Sequence, residues 1–320
     1  MIPEREIINI LARYLYGERW RPNDVALLPL GEGRHLVCSI DTLVKSTDIP
    51  PGMTLTHAAR KAAVSVVSDF SSKGVRVAGM LFSLSLPPTH TPSDIEEIGR
   101  GLREAAREYS FTLLGGDTNE ASDLVITCCG LGFSEGPIPP RGGAQVGDVV
   151  VTTGLFGLHA LGLEILLSGV EAEGELERLA VERFIRPEAR VEQGVLAVSS
   201  GAVTASIDSS DGLLSSLYEL AEQSGVRILV ESLPAHPGVR KAARRRGFPW
   251  EKLILGGGEE YELVFTLRKS RWSDLEEAFS SGGFKLHRIG RVEDGEGVYL
   301  SERGKIVKLE RVGWEHFKKS

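Results

Sequence analysis

The chain has 320 residues, a length that argues for two domains, and 42% of them are apolar, enough for sizeable cores. A formal net charge of -7 excludes a broad nucleic-acid surface, and 25% charged residues is ordinary for a protein in water. No secretory apolar segment opens the chain and no run of about 18 apolar residues occurs, so the expected location is the cytoplasm, without a membrane partner.

Helical apolar spacing at Ile7, Ile8, Leu11 and Leu15 predicts a helix over 4–18. Two strands follow, "VALLPL" and "RHLVCSIDTLV", then a helix over 54–74 whose face is mostly Ala and Val and which Gly74 ends. "VRVAGMLFSLSLP" reads as a long strand. The next helix opens with Ser93 and Glu96 at capping-box spacing. "FTLLGG" and "DLVITCCGLGF" read as strands on either side of a tight Gly115-Gly116 turn that presents Asp117. Adjacent Cys128 and Cys129 point to opposite faces of their strand and cannot chelate one ion, and Cys38 lies in a similar apolar run; all three read as reduced thiols.

The Pro- and Gly-rich stretch 134–148 is the linker candidate, giving domains at 1–138 and 139–320. Beyond it come the strand "VVVTTGLFG", helices in "LHALGLEILLSG" and "LERLAVERFI", the strand "AVTASID" and the amphipathic helix "SDGLLSSLYELAEQSG". Strands "VRILVES" and "YELVFTL", a helix at 270–283 and short strands close the chain. Strands are often consecutive, which argues for α+β or mixed α/β halves rather than one doubly wound parallel sheet. The basic stretch 241–248 reads as a solvated helix end.

The chemistry lies in the aspartates. Asp24 precedes a strand, Asp41 ends "HLVCSI", Asp69 is near the end of the Ala/Val helix, Asp117 follows two glycines, Asp208 ends a strand and Asp211 opens a helix. A carboxylate beside an apolar run is costly to bury unless it meets a cation. Hard oxygen ligands, with no His or Cys pair at ligand spacing, point to Mg²⁺ and substrate phosphates. The glycine stretches "TTGLFG" (152–157) and "ILGGGEEYEL" (254–263) are candidates for backbone contact with an anion, although neither is a Walker A loop.

In order along the chain, "PNDVALL", "SIDTLV", "SVVSDFSSKG", "LLGGDT", "RGGAQVGD", "VTTGLFG", "FIRPEARV", "SIDSSDGLLSSL", "GGGEEYELVF" and "GWEHF" resemble the thiamine-monophosphate kinases over about residues 5–317. Aminoimidazole ribonucleotide synthetase, selenophosphate synthetase and the hydrogenase maturation protein HypE share that fold and ATP site but fit less well. The resemblance implies a two-domain aminoimidazole ribonucleotide synthetase-like fold, a homodimer formed through the N-terminal sheet, and ATP in a cleft under the C-terminal domain. It implies Mg²⁺ at Asp24, Ser39, Ile40, Asp41, Asp69, Asp117, Asp208 and Asp211, with Ile40 acting through its carbonyl where the family has Thr. It assigns ATP contacts to Gly116, Asp117, Arg141, Ser210 and Tyr109, and thiamine monophosphate contacts to Asp48, Glu259 and Trp314.

Besides Ile40, the chain departs from the family at three further places: Asn23 before Asp24, Asp48 in place of a His, and Asn119-Glu120 in place of Thr-Arg. Two of these bring negative charge toward the acceptor side. The expected reaction is direct phosphoryl transfer from ATP to thiamine monophosphate, needing no general base because the acceptor oxygen is already ionised. The alternatives are an ATP-dependent enzyme of the same superfamily with another acceptor, and a non-catalytic nucleotide-binding paralogue.

Overall fold

The computed structural model describes residues 2–17, 21–302, 304–314 and 316–317; Glu18, the expected end of the first helix, and Glu315 of the closing motif lie outside them. The first half contains α1 (Glu4–Leu15), β1 (Ala26–Gly31), β2 (Arg34–Val44), the single turn α2 (Lys45–Asp48), α3 (Leu55–Ser72), β3 (Val77–Leu86), α4 (Pro92–Glu108), β4 (Thr112–Glu120) and β5 (Val125–Ser134). Its five strands form one sheet in the order β1-β2-β5-β3-β4, antiparallel except for the β3–β4 pair.

The second half contains β6 (Val149–Thr152), α5 (Leu158–Ser168), α6 (Gly174–Ile185), α7 (Val191–Ser199), β7 (Val203–Asp208), α8 (Leu213–Ser224), β8 (Arg227–Val230), α9 (Val239–Arg246), α10 (Trp250–Leu255), β9 (Leu263–Leu267), α11 (Trp272–Ser281), β10 (His287–Glu293), β11 (Gly297–Glu302) and β12 (Lys305–Lys308). Its seven strands run β12-β11-β8-β10-β6-β9-β7, with β11–β8 as the parallel pair. Two separate sheets with helices on them match the expected mixed α/β halves. Among the described residues no helix is long and apolar enough to cross a membrane.

Helix α3 organises the molecule. Thr54 caps its start by accepting the His57 N–H, and nearly every residue along it is buried. On one side it packs on β2, β5 and α4; on the other it meets α6, α7, β7 and β9 of the second half. Small residues permit this. A Cβ at Gly194 on α7 would stand 1.9 Å from the Ser71 carbonyl, and one at Gly101 on α4 would stand 2.1 Å from the Thr56 carbonyl. A helix pressed from both sides carries both units' contacts, so groups on it are held by both.

Two local expectations differ from the structure. The capping box of α4 is Thr91 with Asp94, two residues earlier than Ser93 and Glu96, because Pro92 takes the first helical position. The pair Gly115-Gly116 forms no turn. Both lie inside β4, opposite Leu81 and Phe82, and a Cβ at Gly116 would collide with the Phe82 carbonyl at 2.3 Å. Here the glycine serves close strand packing rather than chain reversal.

Candidate active site

Three carboxylates meet where the two units face each other. Oxygen atoms of Asp24, Asp69 and Asp208 lie within 4.8 Å of one another. Asp24 comes from the segment entering β1, Asp69 from α3 and Asp208 from the end of β7. Burial lifts Asp69 well above the usual carboxylate range, reinforced by the charges of Asp208, Asp24 and Asp41. Burial and the Asp24 charge push Asp208 up to about 7. Burial also acts to raise Asp24, but the charges of Lys73 and Arg141 outweigh it and hold Asp24 low. Mutually repelling buried carboxylates with hard oxygen donors are what a divalent cation requires, so the donor set fits Mg²⁺.

One stripe of α3, at the junction of the two units, is polar at helical steps: Lys61, Ser65, Ser68, Asp69, Ser72 and Lys73. Ser68 Oγ donates to Asp208 at 2.6 Å, Ser39 Oγ on β2 donates to Asp69, and Ser72 Oγ lies 3.0 Å from Asp24. Lys61 is ion-paired with Glu259 and lies 4.7 Å over the ring of Phe184. Lys61, Ser65, Ser68, Ser72 and Lys73 were not singled out from the sequence. Their signal was present as polar residues three and four apart inside an otherwise Ala/Val helix.

The stretch after α10 is laced to the turn after β7. Glu259 N–H donates to the Ser210 carbonyl at 2.6 Å, Tyr261 N–H to Ser209 at 3.1 Å, and Ser209 N–H to Glu262 at 2.8 Å. Glu259 and Tyr261 have φ of 64° and 51°, a region that costs a non-glycine residue about 1 kcal/mol. Three glutamates are thereby fixed in different directions: Glu259 to Lys61, Glu260 to His159 and Gly157, Glu262 to Arg190 and Thr153. The Gly157 N–H is used by Glu260 at 2.6 Å. "TTGLFG" is therefore a partner of an internal carboxylate, not the anion loop its sequence proposes. The glycines of "GGGEE" do line a cavity.

Two cavities adjoin this junction. The larger, about 1190 Å³, is lined by Asp24, Ser39, Ile40, Asp41, Asp48, Lys61, Asp69, Phe184 and Glu259. The smaller, about 920 Å³, lies beneath α1 and is lined by Asp208, Glu219 and Gln223. Arg141, Ser210, Asp211 and Trp314 border both. Trp314 N–H donates to the Asp211 carbonyl at 3.1 Å, tying the C-terminal segment to the turn. The Asp48 carboxylate folds back to accept the Val44 N–H at 2.6 Å, which absorbs part of the negative charge its sequence position introduces. Ile40 is 67% exposed on the opposite sheet face from Ser39, so only its backbone faces the candidate ligands.

Three nominated residues stand apart from both cavities. Gly116 and Asp117 are on β4, an exposed edge strand, and Asp117 accepts from Asn119 at 2.8 Å. With β5 and β3 between β2 and β4, Asp117 stands three strand spacings from Asp41, about 14 Å at roughly 4.8 Å each, too far to share an ion within one chain. Tyr109 follows α4, and its hydroxyl accepts the Ala189 N–H at 3.0 Å; burial pushes that phenol up to about 12. Within one chain it joins the two units and contacts neither cavity.

Family models described as AIR synthase related protein match here, the N-terminal domain over residues 22–133 and the C-terminal domain over 145–302. The thiamine-monophosphate kinase of Nitrosopumilus maritimus (strain SCM1) is 36% identical over 317 residues, covering 99% of this chain and 99% of its own. That of Pyrococcus abyssi (strain GE5 / Orsay) is 35% identical, covering 98% and 95%. The solved structure of AaThiL complexed with AMPPCP and TMP superposes with a TM-score of 0.87 at 30% identity, covering 98% of this chain and 97% of that one. The chain belongs to the AIR synthase related family and, within it, to the thiamine-monophosphate kinases.

Proposed function

We propose that the chain transfers the γ-phosphoryl group of ATP to thiamine monophosphate, releasing ADP and thiamine diphosphate. The observation that carries this reading is the junction: a buried carboxylate group set where two cavities meet, one for each phosphate-bearing substrate. Full-length likeness to thiamine-monophosphate kinases supports the acceptor. Residues 1–138 would supply most of the carboxylates and 139–320 would close over them.

An oxygen of the acceptor phosphate attacks the γ-phosphorus, a P–O bond forms, and the bridging β–γ P–O bond breaks with its electrons leaving on ADP. No side chain needs to remove a proton, because the attacking oxygen is already ionised. The obstacle is the approach of two polyanions. The residues that would hold Mg²⁺ are Asp69, Asp208 and Asp41, with Asp24, Ser39, the Ile40 carbonyl and Asp211 around them. When bound, Mg²⁺ would neutralise the phosphates and favour their alignment. Arg141 and Ser210, bordering both cavities, would orient the nucleotide. Glu259, fixed by Lys61, would stand with Asp48 and Trp314 against the acceptor.

The outer face of the first sheet supports a homodimer. Ile40, Leu81 and Phe133 are exposed on it, an apolar surface left uncovered by the described residues. Pairing through that face would bring β4 of one copy toward the site of another, the arrangement in which Gly116, Asp117 and Tyr109 serve ATP. Three unpaired cysteines agree with a cytoplasmic setting.

A coupled assay with ATP, Mg²⁺ and thiamine monophosphate tests the reading: ADP and thiamine diphosphate should appear in equal amounts. ADP release only with an aminoimidazole-type acceptor would overturn it. Sedimentation of a Phe133→Glu variant should show monomer where the parent chain shows dimer.

A further inference from the structure

Lys73 is a fully buried ammonium inside the carboxylate group. Its Nζ lies 2.6 Å from Asp24 Oδ2, 2.7 Å from the Ser206 carbonyl and 3.1 Å from Ser206 Oγ, so its three donors meet three acceptors. Asp24 Oδ1 is taken by Arg141, through Nε at 2.9 Å and also through Nη2. Both oxygens of Asp24 are therefore engaged by fixed cations, unlike those of Asp69 and Asp208, whose partners here are serine hydroxyls. Asp24 nonetheless lies in the same tight group as those two. A buried lysine placed for packing alone would not need to sit among the charges of a phosphate site.

We propose that Lys73 acts as a fixed cation in the carboxylate group, holding Asp24 in place of a divalent ion, so that this chain binds one divalent ion fewer than its aspartates would otherwise hold. The inference rests on the reading that the group carries Mg²⁺ for phosphoryl transfer. It makes Lys73 a positioning residue: Lys73 orders Asp24, and through Asp24 it orders Arg141 at the border of both cavities. Its position at the C-terminal end of α3 favours a positive charge, because the carbonyls there are the negative end of the helix.

The test counts metal on the full chain, with Mn²⁺ as the probe and free Mn²⁺ read by electron paramagnetic resonance. Lys73→Met keeps the length and removes the charge; it should bind one more Mn²⁺ per chain than the parent. Lys73→Arg should restore the parent count. A folded Lys73→Met with the parent count, or no Mn²⁺ bound by either protein, overturns the proposal. If Lys73→Met does not fold, the parent protein decides. Anomalous diffraction from its Mn²⁺-soaked crystals should show no peak on Asp24, at about 2.1–2.2 Å from either carboxylate oxygen. A peak there, with Lys73 in place or displaced, would overturn the proposal. The functional reading fails separately, through a parent protein that counts Mn²⁺ as expected yet forms no thiamine diphosphate.

Discussion

Two groups of buried acidic side chains sit in opposite electrostatic surroundings. Between the units, Asp69 and Asp208 face other carboxylates and are lifted, Asp208 to about 7. Between α6 and α9, nearer the surface, the Glu177 side chain is covered by two arginines: it accepts from Arg246 at 2.6 Å, from Arg245 and from the Glu173 N–H at 2.7 Å, and these bonds hold it down to about 2. The second group is complete within the chain. The first is left short of positive charge even after Lys73 and Arg141 are counted, and a fold that keeps repulsion in its interior is holding a place for a cation. Burial by itself does not separate a structural acid from a functional one; the sign of what surrounds it does.

The sharpest way to break this contrast is to neutralise one member of the first group. Asp208→Asn should lower the rate of ADP formation by roughly 100- to 1000-fold, the scale of losing a group that organises transition-state charge. Asp69→Asn should do the same while raising the stability of the metal-free chain by about 1 kcal/mol, roughly 2 °C in Tm, because it removes like-charge repulsion. A calorimetric scan in EDTA measures this. A clear loss of stability would show that Asp69 is structural, and the contrast with Glu177 would fall.

How legible this was in the sequence differs between the parts. Asp24, Asp69 and Asp208 could be marked because an acidic residue beside an apolar run demands a partner. Their convergence could not be derived from pattern alone, since it depends on how α3 is clamped between two sheets. The Lys61–Glu259 pair spans the two halves for the same reason, and no local spacing announces it. The polar stripe of α3 is legible as polar residues three and four apart, but the Ala/Val face of the same helix dominates the pattern. "LLGGDT" misled in the other direction. Paired glycines resemble a turn, but here Phe82 packs where a side chain would have stood, and the strand continues through Asp117 to Glu120.

A smaller effect sharpens the acceptor side. Lys61→Met leaves Glu259 in its left-handed conformation without the cation that faces it. KM for thiamine monophosphate should rise about 10- to 100-fold, the cost of leaving one member of an enclosed ion pair unpaired. KM for ATP should change by less than about threefold, since Lys61 lines only the larger cavity. Equal rises in both constants would mean that Lys61 supports the junction as a whole, and the division of labour between the two cavities would be wrong.

The smallest effect tests the self-contained group. Glu177→Gln keeps the shape of the side chain but weakens its bonds to two guanidinium groups, which should cost about 1–3 kcal/mol of stability and leave the rate per folded molecule unchanged. The pH dependence has a definite sign. The folded carboxyl titrates near 2 and the unfolded one near about 4.3, so the unfolded chain takes up the proton first. Glu177 therefore stabilises the fold fully above the unfolded value, and that contribution drains away as pH falls toward 2. Urea midpoints of parent and variant should differ most at pH 6 to 7 and converge on acidification. Asp69→Asn should show its difference from the parent in the opposite direction over the neutral range, where ionised neighbours repel. Curves of the same sign for both variants would mean that surrounding charge does not distinguish the two groups.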